Sequence, residues 1–149
     1  MADVDVLPYD YEEYGKEIGA YIDAANKKAD TRFPGHAPNF AAAAAAARRF
    51  ERAGAKTLSR QLKPPADSGR LNQVLLDTER ALLIPEGLSN RPWFHHAIYA
   101  PGQYTGYAAV VIPGVNEAID SKDQERLQRA IADLTAALNR AAQKLESYH

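Results

Sequence analysis

The sequence predicts an all-α fold: a four-helix bundle with a long structured loop between its third and fourth helices. Three observations predict it. Apolar residues recur at three- and four-residue steps in separate stretches along the chain. In the last stretch Leu127, Ile131, Leu134, Leu138, Ala141, Leu145 and Tyr148 form a heptad-like seam. Before it lies a segment rich in proline and aromatic residues, 85–120, which a minimal bundle does not need. Long connections of this kind are usually functional.

Residues 1–9 form an extended lead-in, with Val4, Val6 and Leu7 available for packing and Pro8 blocking a backward helix. The first helix is expected over about 10–28. Asp10 and Glu13 stand at capping-box spacing, and Tyr11, Tyr14, Ile18, Tyr21, Ile22 and Ala25 make its stripe. Gly15 and Gly19 each weaken it by roughly 1 kcal/mol relative to alanine. They mark either close helix approach or tolerated glycines. Residues 29–38 hold turn formers and read as a loop.

The second helix is expected over 39–62, capped by Asn39 and driven by alanines 41–47. Phe40, Ala43, Ala47, Phe50, Gly54 and Leu58 form its buried stripe, and Lys63-Pro64-Pro65 stops it. A third helix, 68–84, starts at Asp67 or Ser68, buries Leu71, Val74, Leu75, Thr78, Ala81 and Leu82, and ends at Pro85 and Gly87. Pro113-Gly114 opens a short helical turn through Ile119. The fourth helix, 121–148, is expected to use Ser121 as cap with Gln124 at the reciprocal position.

A chain of 149 residues with 46% hydrophobic and 25% charged residues fits one globular domain. The net charge of −1 and scattered Lys and Arg argue against a nucleic-acid partner. Without cysteine there is no disulfide, thiolate metal site or Cys nucleophile. No apolar run is long enough to span a bilayer, so no membrane contact is expected from this segment. The acidic start MADVDVLPYD is unlike a signal peptide.

Catalytic signatures are equally sparse. The adjacent His95 and His96 make a poor chelate, since successive residues point apart, and H-E-x-x-H does not occur. There is no G-x-S-x-G, P-loop or G-x-G-x-x-G. Asp77 or Glu79 with Arg80 is placed to tie the third helix to the loop. Trp93 is the natural aromatic anchor for that loop. Tyr99, Tyr104 and Tyr107 either pack within it or present hydroxyls to a pocket.

The run ERALLIPEGLSNRPWFHHAIYAP, with Tyr107 and Pro113-Gly114 beyond it, resembles the C-terminal dimerisation domain of the glutamate carboxypeptidase and transferrin receptor family. The spacing is closer to the peptidase branch. A weaker resemblance runs from LPYDYEEY to the last helix. It implies that residues 1–149 are a non-catalytic dimerisation domain, partnered by a second copy and by the parent's peptidase domain. It implies loop-anchoring roles for Arg80, Arg91, Trp93, His96, Tyr99 and Pro101. Tyr104, Gly106 and Tyr107 would contribute to the parent's substrate pocket.

In that family a Lys-Tyr pair in this loop holds the distal carboxylate of an acidic substrate residue. Here Tyr107 matches the Tyr, but Gly106 stands where the Lys would be. The missing charge-assisted hydrogen bond is worth about 1.5–3 kcal/mol. The parent is therefore expected to prefer something other than a C-terminal glutamate, such as an apolar side chain. The family's two zinc ions sit in the peptidase domain, so no cofactor is expected in this chain. Members are commonly type II membrane proteins facing the lumen or exterior. A receptor-like domain that binds a different protein is the alternative, which the IYAP loop disfavours. Either role leads us to expect an apolar patch left exposed on the bundle.

Overall fold

The computed structural model describes residues 6–89, 91–101 and 109–148, and the statements below concern those residues. Its elements are α1 Tyr11–Arg32, α2 Ala41–Leu62, α3 Ser68–Ala81, β1 Tyr99–Pro101, β2 Ala109–Val111, α4 Pro113–Asp120 and α5 Gln124–Glu146. The all-α reading holds, with one two-stranded hairpin added inside the long loop.

The apolar seam of α5 makes it the hub. Leu127, Ile131, Leu134, Leu138, Ala141 and Leu145 are all buried, and the helix packs against α2, α3 and α4. The alanine-rich α2 lies between α5 and α1. Its buried face is Ala43, Ala46, Ala47, Phe50, Ala53, Gly54 and Thr57, and apart from Phe50 these are small enough for close backbone approach. The lead-in is pinned by polar contacts: Leu7 N–H donates to Asn72 Oδ1 (2.8 Å), and Gln61 Nε2 donates to the Leu7 and Tyr9 carbonyls (both 2.9 Å).

The observed elements differ from the expected boundaries at four points. Helix α1 runs on to Arg32 rather than stopping at residue 28. Ala29 is fully buried there, and Lys28 and Arg32 reach Asp120 of α4, so tertiary contact extends the helix by a turn. Helix α3 ends at Ala81, because Leu82 to Ile84 instead pair with the returning loop. The last helix starts at Gln124, not 121. Asp123 is its cap, accepting from Arg126 N–H at 3.0 Å, while Ser121 terminates α4 and Gln124 Nε2 donates to the His36 carbonyl. Asn39 does accept from Ala41 N–H (2.7 Å), although the helix proper begins after Phe40.

Residues 85–120, expected as a loop ending in a short helical turn from Pro113 through Ile119, contain three kinds of structure, and the expected turn is the helix α4. The chain first doubles back on the end of α3: Ile84 N–H bonds the His95 carbonyl (2.7 Å) and Ala97 N–H bonds the Leu82 carbonyl (2.9 Å). The hairpin follows, with Tyr99 opposite Val111 and Pro101 opposite Ala109. Helix α4 then begins with Pro113 in its first turn, where a missing N–H costs nothing.

Candidate functional site

The loop is held to the bundle from inside. Ile84, Leu88, Ala97, Ile98, Ala100 and Ile112 are buried and join the common core. Gly87 makes the tight turn. Its φ is +73°, and a Cβ there would fall 2.1 Å from the Pro92 carbonyl oxygen, so only glycine fits. Trp93 does not anchor the loop as expected, because it is 68% exposed. The aliphatic residues on either side fill the space instead, leaving the indole at the surface.

A charged cluster supplies the second hold. Arg91 of the loop pairs with Glu117 of α4, and Arg126 of α5 lies 3.5 Å from the other Glu117 oxygen. All three residues are buried. Arg91 also stacks over Phe94 at 5.1 Å. Two guanidinium groups about one carboxylate thus join three elements. Glu117 and Arg126 were not singled out in the sequence. The one available signal was a carboxylate inside the apolar run of α4.

The third hold is a histidine. His96 Nε2 lies 2.9 Å from Glu79 Oε1 on α3. Its Nδ1 accepts from the N–H groups of Ile98 (3.1 Å) and Tyr99 (3.3 Å). Those two donors place the lone pair on Nδ1 and the proton on Nε2, so the ring donates to the carboxylate. The tie between α3 and the loop is therefore Glu79 to His96. Arg80 does not make it: it bonds Asp77 on its own helix at 3.3 Å and is otherwise largely exposed. His95 turns away from His96, its Nδ1 2.8 Å from the Ile84 carbonyl oxygen.

Tyr99 starts the hairpin and joins a row of rings. It stacks on Tyr14 at 6.1 Å with planes 5° apart, meets His96 at 6.2 Å, and shares a 3.4 Å hydroxyl contact with Tyr21. Tyr14 continues to Tyr11 at 6.4 Å and Tyr11 to Tyr9 at 5.6 Å. Tyr11 donates its hydroxyl to the Leu75 carbonyl at 2.7 Å. Burial, then the Glu79 carboxylate, push the Tyr11 and Tyr14 hydroxyls up from their ordinary range; Tyr99 is raised by burial and then by its bond to Tyr21. The tyrosines of α1 were expected to form only an apolar stripe. Their part in this row depends on a loop more than 70 residues away in sequence, as the 78-residue separation of Tyr21 and Tyr99 shows.

Pro101 closes β1. Tyr104, Gly106 and Tyr107 lie outside the described residues. Among the described residues no three His, Asp or Glu side chains are grouped to hold a metal ion, and no helix is long and apolar enough to cross a membrane. The exposed large hydrophobic residues among them are Leu62, Leu83, Trp93 and Tyr99, three of which lie on the loop or where it leaves α3.

The fold is thus a helical bundle whose longest connection is braced from within, with most of the exposed large apolar residues among those described on or beside that connection. The family model described as a transferrin receptor-like dimerisation domain matches residues 26–146, and the chain belongs to that family. A probable glutamate carboxypeptidase of Arthroderma benhamiae is 29% identical over 159 residues, covering 100% of this chain and 21% of that protein. One from Arabidopsis thaliana is 30% identical over 153 residues, covering 95% of this chain and 22% of its own length. One from Zea mays is 28% identical, covering 97% and 22% respectively. The chain thus spans about a fifth of the length of the curated relatives it matches.

Proposed function

We propose that this chain is the non-catalytic dimerisation domain of a glutamate carboxypeptidase-like protein. In this reading it joins two copies of the parent and lends its loop to the substrate pocket of the neighbouring peptidase domain. The observation that carries the reading is the family match across most of the chain, within relatives about five times its length. The exposed Trp93 and Leu83, mounted on a loop with a buried floor, support a docking role.

Hydrolysis belongs to the parent's peptidase domain, where zinc would polarise the scissile carbonyl and activate water. Among the described residues no three His, Asp or Glu side chains stand together as a metal-ligand set. Gly106 in place of the family's Lys directs the parent toward substrates without a C-terminal glutamate. The parent is taken as a type II membrane protein facing the lumen or exterior.

Light scattering on the purified chain tests the association. A dimer mass is expected, and a strict monomer at high concentration would remove homodimerisation by this domain alone. Zinc-dependent hydrolysis by this polypeptide would overturn the non-catalytic reading. Assay of the full-length parent on Glu-ended and Leu-ended peptides tests the pocket; a strong preference for Glu would defeat that part.

A further inference from the structure

Beside the loop lies an open groove of about 400 Å3, lined by Tyr9, Tyr11, Tyr14, Tyr99, His96 and Glu79. Tyrosine and histidine side chains make up most of its lining. The adjoining rings Tyr11, Tyr14, Tyr99 and His96 lie within 28° of coplanar orientation pair by pair. Glu79 sets a carboxylate among them; Asp10 also lines the groove, its Oδ1 accepting from Glu13 N–H as the cap of α1.

Among the described residues no Lys or Arg pairs with Glu79. Its ion-pair partner among the described residues is His96, whose Nδ1 is committed to accepting two backbone N–H groups. The ring therefore meets the carboxylate as a neutral donor. Burial is the main cause that raises the Tyr11, Tyr14 and Tyr99 hydroxyls, and Glu79 adds to it in each case. A groove lined by aromatic side chains and a partly exposed carboxylate, with no Lys or Arg among its described lining residues, is complementary to a positive group.

We propose that this groove is a docking site for an arginine side chain carried by a protein segment packed across it. A guanidinium matches better than an ammonium, since its planar fork can engage the Glu79 carboxylate at two points while it lies against the exposed Tyr99 side chain. The groove is open rather than enclosing, and Tyr99 is 37% exposed, which suits a side chain presented from another surface. The source is the parent's adjoining domain; in this respect alone the inference rests on the function proposed above.

The test uses this chain and two small probes. Two-dimensional NMR is followed during titration with N-acetyl-arginine methylamide and with the uncharged citrulline counterpart. Saturable shifts at Tyr14, His96 and Tyr99 are expected for arginine. Binding should weaken about tenfold or more for citrulline and for arginine on the Glu79→Gln variant. Absence of saturable shifts, or equal binding of the two probes, overturns the proposal. If Glu79→Gln fails to fold, the arginine–citrulline comparison on the unaltered chain and a Tyr99→Leu variant still decide. Failed arginine binding with a dimer mass in light scattering sinks this inference alone. Arginine binding by a monomer sinks only the dimer reading.

Discussion

A Cβ placed on Gly54 of α2 would stand 2.4 Å from the backbone carbonyl carbon of Tyr11 on α1. Backbone cannot yield as a side-chain tip can. The two helices are therefore in contact at a point where only hydrogen fits. Gly15 faces Glu51 in the same way, its added Cβ 2.7 Å from a backbone atom, whereas Gly19 has open space around it. Gly54→Ala is expected to destabilise the fold by about 1–3 kcal/mol or more through overpacking. Gly19→Ala should stabilise it by about 0.5–1 kcal/mol, since it removes only the entropic penalty of glycine in a helix. Urea denaturation of the two variants checks the contrast; equal effects would contradict the packing.

The buried cluster of Arg91, Glu117 and Arg126 makes a larger claim. Glu117→Ala takes away the carboxylate between two guanidinium groups and leaves their charges uncompensated by it. Breaking a buried ion pair from one side costs about 3–5 kcal/mol. Because the three residues come from the loop, α4 and α5, the loss is expected to loosen the loop as well as lower global stability. Denaturant midpoints, with proteolysis near residue 91, measure both. A cost under about 1 kcal/mol would mean that the cluster is solvated in solution.

The bundle was largely legible in the sequence because periodicity reports burial directly. Leu127 to Leu145 on α5, and Leu71, Leu75 and Thr78 on α3, are buried as their spacing predicts, while Val74 and Ala81 are half-buried. Helix ends were less legible. Ser121 and Gln124 satisfy a capping pattern, but Ser121 is taken up in ending α4, its hydroxyl donating to the Glu117 carbonyl, and Asp123 caps the last helix. The last turn of α1 exists because Asp120 of α4 stands beside it, information that no local pattern holds. The loop was legible as important but not as built. A lone tryptophan suggests an anchor, yet burial went to Ile98, Ile112 and Leu88. Only the three-dimensional path brings Glu79 to His96.

Arg49 and Glu146 form a two-point bridge between α2 and α5, with Nε to Oε1 at 2.9 Å and Nη2 to Oε2 at 2.7 Å. The hydrogen bonds to Arg49 hold the Glu146 carboxyl below its ordinary range. A carboxyl lowered on folding contributes stability that is complete above its unfolded pKa and is lost as pH falls through its folded value. The pair is partly exposed, so solvent limits its worth to about 0.3–1 kcal/mol. Glu146→Gln should be less stable than the parent chain by that amount at pH 7. The gap should shrink from about pH 5 downward and close in strong acid. A gap independent of pH would show that the charge is not what matters.

His96 offers the most local test, because its two nitrogens do separable work. Nδ1 accepts from Ile98 and Tyr99, fixing the entry to β1, while Nε2 donates to Glu79. His96→Ala removes both and leaves two amides without their acceptor, which should speed their hydrogen exchange by about tenfold. His96→Asn is the informative partner. Its side-chain oxygen branches from the same carbon as Nδ1 and can take the same two donors, but nothing reaches Glu79. Slow exchange at Ile98 and Tyr99 is therefore expected to return in His96→Asn, with the tie to α3 still cut. Fast exchange in both variants would mean that the link to Glu79, rather than the amide contacts, holds the start of the hairpin. Unchanged exchange in both would assign that task to the buried Ile98 and Ile112 side chains.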